Sequence, residues 1–125
     1  MSEGTEYKKE PSKFTSQLFT TQVGESTYNF RVLKMVNSIF IYIGTQGNES
    51  LDEMGIAMPM KNNEIVGTTI AGPLLGCDSQ ELASKLAKRL GKQVFISCNI
   101  PTDRMIRPAI EKALTEKIKL HPDAF

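Results

Sequence analysis

No stretch of about 18 consecutive apolar residues occurs in this chain, which excludes a helix that crosses a bilayer. Histidine is nearly absent. His121 is the single one in 125 residues, so a multi-histidine zinc site is out of reach. Cysteine is as scarce: Cys77 and Cys98 stand alone, with no CxxC pair to anchor a metal. Cys98 sits in an apolar strand, which makes a thiol inert, and Cys77, beside a helix start, has no base in evidence. Charge of one sign is lacking too; the formal net charge of +1 gives no steering field for nucleic acid or an acidic membrane. The first residues, Met1 to Pro11, are charged and polar and lack the apolar core of a secretory signal, so the two thiols are expected to be reduced. Gly67-Thr68-Thr69-Ile70-Ala71-Gly72 has the glycine spacing of a phosphate loop, but Pro73-Leu74 stands where Lys-Ser/Thr is needed. Those glycines read as strand-end turns. Asp52-Glu53 and Asp103 are isolated acids that make no carboxylate pair. Together these absences point to a protein with no catalytic residue, no metal and no cofactor.

What is present is strand pattern. The chain is 40% hydrophobic and 23% charged, ordinary for one globular domain. Residues 1–12 read as a disordered tail and residues 13–125 as a single domain. Phe14–Val23, Tyr28–Val36, Ile39–Gly44, Leu51–Met58 and Glu64–Ala71 are expected strands, with turn chemistry at Gly24-Glu25-Ser26 and Gly72-Pro73. Asp78-Ser79-Gln80-Glu81 is a capping-box arrangement. Leu82, Leu86 and Leu90 then form an apolar stripe, and Gly91 stands where a helix-terminating glycine is wanted. Val94–Cys98 is a short strand. A last helix carries Ile106, Ile110, Ala113, Leu114 and Ile118, with Pro108 confining its start to near Arg107 or distorting its first turn. Strands in succession joined by short turns imply antiparallel pairing. The fold class is α+β: an antiparallel sheet of about six strands with two helices on one face, the other face available to a partner.

The partner follows from Ile39-Phe40-Ile41-Tyr42-Ile43. A strand alternates its side chains between two faces, and here both are apolar, so both must be covered. Two helices cover one. With Asn37-Ser38 as the hairpin turn, Val36 stands opposite Ile39, Lys34 opposite Ile41 and Val32 opposite Ile43. Those aliphatic residues suit packing under helices. The other face carries Arg31, Leu33, Met35, Phe40 and Tyr42, residue types enriched at the centres of protein interfaces. Lys85, Lys88, Arg89 and Lys92 form a helical stripe, a candidate contact for an acidic protein partner; with no interleaved aromatics it does not suit nucleic acid. Its alternative is the solvated back of an amphipathic helix.

Phe30-Arg31-Val32, Asn37–Gly44 and Leu86-Ala87-Lys88-Arg89-Leu90-Gly91-Lys92-Gln93-Val94-Phe95-Ile96-Ser97-Cys98-Asn99 resemble the proteasome assembly chaperone 4 family, as does the ending His121-Pro122-Asp123-Ala124-Phe125. The resemblance covers about residues 27–125; the N-terminal quarter and Ile100–Arg107 depart from it. It implies a small α+β subunit that pairs with proteasome assembly chaperone 3, helps the α-subunit ring of the 20S proteasome to form, and leaves before the particle is complete. It implies no catalysis and a cytoplasmic location, with a nuclear one also open. Another proteasome chaperone pair docks a C-terminal hydrophobic-tyrosine-any motif in the α-ring; Ala124 stands where that tyrosine would be, so tail docking is not expected. Two other classes stay open on the residues alone: a longin- or profilin-like scaffold stable as a monomer, and an enzyme with a Cys77 nucleophile.

Overall fold

The computed structural model describes residues 14–47, 49–72, 78–100 and 105–125. The expected tail, Cys77 and residues 101–104, Asp103 among them, lie outside them. Among the described residues there are six strands, β1 (Thr15–Val23), β2 (Ser26–Lys34), β3 (Ser38–Thr45), β4 (Met54–Pro59), β5 (Ile65–Ala71) and β6 (Gln93–Asn99), and two α-helices, α1 (Asp78–Leu90) and α2 (Ile106–Leu120). The strands form one sheet in the order β1-β2-β3-β6-β4-β5. The fold is α+β, and the sheet is mixed: β6 runs parallel to β3 and antiparallel to β4. The uniformly antiparallel expectation fails at this pair for a physical reason. β6 follows a helix, and a helical crossover brings the chain back to start from the same end of the sheet.

The β2–β3 hairpin is shifted from its expected register. Lys34 pairs with Ile39, Val32 with Ile41 and Phe30 with Ile43, and the turn is Val36-Asn37, closed by Met35 N–H donating to Ser38 O at 2.9 Å. A shift of two residues preserves which side chains share a face. It also takes Lys34 away from Ile41, deep in the core, to the margin, where its ammonium donates to Asp123 O at 3.0 Å. In α2, Pro108 falls in the first turn, where its missing N–H costs nothing.

One side of the sheet holds the core. Tyr28, Phe30, Val32, Ile39, Ile41, Ile43, Val94, Ile96 and Cys98 pack with Leu82, Leu86 and their alanines from α1 and with Ile110, Leu114 and Ile118 from α2. Two glycines let α1 sit close. A Cβ on Gly55 would lie 2.5 Å from the Gln80 backbone, and one on Gly67 would lie 2.5 Å from Ser84 Oγ. Gly67 is therefore inside β5 and not in a strand-end turn, whereas Gly72, at φ +101°, does occupy one. The segment after α2 closes the core's end. Phe125 is buried and stacks on Phe19 at 5.8 Å, with its main-chain oxygen accepting from Lys92 Nζ at 2.6 Å.

Candidate functional site: the uncovered face of the sheet

The strand register sets a row of side chains across the opposite face. Ser16, Leu33, Phe40, Phe95, Ile56 and Thr68 stand in direct cross-strand succession through all six strands. Leu33, Phe40, Phe95 and Ile56 are only partly buried, although they sit at the centre of the sheet. Leu18 on β1 and the Met58–Val66 pair on β4 and β5 extend this apolar surface, at 53%, 39% and 50% exposure. Among the described residues no helix lies over it; the buried faces of α1 and α2 belong to the core on the other side. Strand alternation produces this result. Phe40 lies between the core residues Ile39 and Ile41, and Phe95 between Val94 and Ile96, so each must point away from the core.

One end of this face carries a flap, residues 49–53, which accounts for β4 beginning at Met54 and not at Leu51. Its anchors are polar. Arg31 grips Glu49 through two nitrogens, at 2.9 Å and 2.8 Å. The Asp52 and Glu53 amides donate to Asn99 Oδ1, Ser97 Oγ donates to Glu53 O at 2.6 Å, and the Tyr42 hydroxyl donates to Ser50 O. Hydrogen bonds from Arg31 hold the Glu49 carboxyl below the usual carboxylate range, against the opposing effect of its partial burial. The same contact raises Arg31 further above its ordinary value. Burial, then the Glu49 charge, pushes the Tyr42 hydroxyl up. Beside the flap lies a shallow depression of about 310 Å³, whose lining includes Arg31, Leu33, Phe40, Tyr42 and the half-exposed Leu51.

The residues expected at an interface are thus distributed unevenly. Arg31, Leu33 and Phe40 share the uncovered face. Tyr42 shares it too, but its ring lies down over Gly44 and beneath the flap, leaving it 8% exposed. Met35 lies just past the end of β2, flanking the hairpin turn, where its sulfur accepts from Ser38 Oγ at 3.9 Å. Sequence reasoning missed Leu18, Ile56, Met58, Val66 and Phe95. The apolar residues on both faces of Val94–Cys98 carried the same signal as those of β3 and would have found Phe95.

The basic stripe is divided, and it lies on the helical layer. Lys85 pairs with Glu111 at 3.1 Å. Lys92 turns toward Phe125, and burial, with the neighbouring Lys34 charge, lowers its pKa from the lysine value. Lys88 and Arg89 remain exposed. Among the described residues no cluster of three His, Cys, Asp or Glu side chains could hold a metal.

Comparison with known proteins gives one consistent result. A family model described as proteasome assembly chaperone 4 matches residues 27–100. Proteins of that name from Homo sapiens and Mus musculus are each 28% identical over 109 residues, 86% of this chain and 87% of theirs. A solved structure, "Crystal Structure of a Novel Chaperone Complex for Yeast 20S Proteasome Assembly", superposes with a TM-score of 0.67 at 14% identity, covering 87% of this chain and 98% of that one. At that identity the likeness is one of fold.

Proposed function

The chain belongs to the proteasome assembly chaperone 4 family, and from that premise we propose that it is a non-catalytic chaperone of proteasome assembly. In this reading it pairs with proteasome assembly chaperone 3 through the uncovered face of its sheet, and the pair promotes formation of the α-ring of the 20S proteasome. The observation that carries the pairing is the row Leu33-Phe40-Phe95-Ile56, apolar side chains left partly open at the middle of a sheet. A sheet face of this extent suits a standard interface, about 800 Å² from each partner. Binding there needs no reacting group, and release follows when arriving subunits compete for the same space. The site of action proposed is the cytoplasm, with the nucleus as a second location.

Phe40→Asp tests the reading. It sets a carboxylate at the centre of a surface that loses its water on pairing, which is expected to weaken association by about 3 kcal/mol, more than a hundredfold. Phe40→Leu keeps an apolar side chain there and should retain the partner. The measurement is co-purification of each variant with chaperone 3, followed by sedimentation of the complex. Undiminished pairing by a folded Phe40→Asp chain would remove this face from the interface.

A further inference from the structure

Helices α1 and α2 lie side by side and run in the same direction. Glu81 meets Arg107 at 3.2 Å, and one turn further along both helices Lys85 meets Glu111 at 3.1 Å. One turn beyond that, the ladder lacks its acid: α1 supplies Lys88 and Arg89, and the α2 residues lining the groove there are Leu114 and Thr115, Glu111 of the preceding rung lining it beside Lys85. Neither Lys88 nor Arg89 has an ion-pair partner among the described residues. The groove between the helices has a volume of about 370 Å³, and Leu82, Leu86 and Leu114 form its apolar floor.

We infer that this groove takes an acidic segment of a partner protein, which sets a carboxylate between Lys88 and Arg89 and seats one apolar side chain on Leu82, Leu86 and Leu114. The argument is complementarity of charge and of surface. Opposite charges already join the two helices at successive turns, and the third turn presents cations with an open acid position beside it. The leucine floor suits a protein side chain and offers no aromatic platform for a nucleobase. The groove lies on the helical layer, on the far side of the sheet from the row that includes Phe40, so a co-chaperone on the sheet leaves it free. The inference rests on the assembly reading only for the partner's identity, an α-ring subunit during assembly.

The test titrates the full chain into a fluorescein-labelled synthetic peptide with glutamates on one helical face and leucines on the other, read by fluorescence anisotropy. A counterpart with lysine in place of every glutamate is the control. The acidic peptide is expected to bind, to weaken as salt rises, and to lose about tenfold or more in affinity to a Lys88→Glu/Arg89→Glu chain. Lys88→Ala/Arg89→Ala, which removes the charges without reversing them, should show a smaller loss. No binding of the acidic peptide, or equal binding by the double variants, overturns the inference. In parallel, wild-type and variant chains paired with chaperone 3 are mixed with purified α-ring subunits. Peptide binding without α-subunit binding by the wild type overturns the assembly reading and leaves the groove standing. Undiminished α-subunit binding by Lys88→Glu/Arg89→Glu removes the groove from assembly.

Discussion

Arg31 and Glu49 show how one side-chain pair shapes the uncovered face. The guanidinium holds the flap down, and the flap seals Tyr42. Because the Glu49 pKa is lowered in the folded chain, its contribution is fully present above the ordinary carboxylate value and is lost as pH falls through the lowered one. Both side chains are open to solvent, 52% and 29%, so what depends on the pair is the flap's position more than the fold. Glu49→Gln is therefore expected to speed hydrogen exchange at the Asp52 and Glu53 amides at neutral pH with little change in melting temperature. The wild-type chain should show the same acceleration, relative to its intrinsic rates, only in acid below the ordinary carboxylate range, because its pKa is lowered. Unaltered exchange in Glu49→Gln would assign the flap to Asn99, Ser97 and Tyr42. None of this was legible in the sequence. Glu49 sits in a polar loop without period, and no spacing rule connects it to an arginine on a strand.

At the scale of elements, the seat of α1 on β4 and β5 is set by what is missing from Gly55 and Gly67. Gly55→Ala places a methyl group against the Gln80 main chain, which cannot turn aside, and should cost about 1–3 kcal/mol. Gly67→Ala meets the Ser84 hydroxyl, which can rotate away at the loss of its 3.0 Å bond to Gln80 O, so its cost should be smaller. Urea denaturation of both variants makes the comparison; equal costs would mean that α1 slides as a unit. The helix itself was legible, since Leu82, Leu86 and Leu90 recur at helical spacing and Gly91 ends it at φ +69°. The place of β6 was not. Backbone hydrogen bonds are the same for any side chain, so local sequence marks Val94–Cys98 as a central strand without naming its neighbours.

For the whole molecule, the uncovered face predicts stability that depends on a partner. Chaperone 3 at a hundredfold excess over its dissociation constant should stabilise the chain by about 2.7 kcal/mol and raise its melting temperature, and the Phe40→Asp chain should show no such rise. A thermal melt of each chain alone and mixed decides this; identical melting of wild type with and without chaperone 3 would take the pairing away. Sequence alone determined the element types, the α1 stripe, the split of Tyr28–Tyr42 into two faces and the shortage of cover for one of them, because alternation and helical period are local properties of the chain. Tertiary structure decided the register of the hairpin, the insertion of β6 beside β3, the glycine contacts beneath α1, the sealing of Tyr42 and the open rung at Lys88 and Arg89. Each of these depends on residues distant in sequence that meet only when the chain closes on itself, and no local pattern encodes which of them will meet.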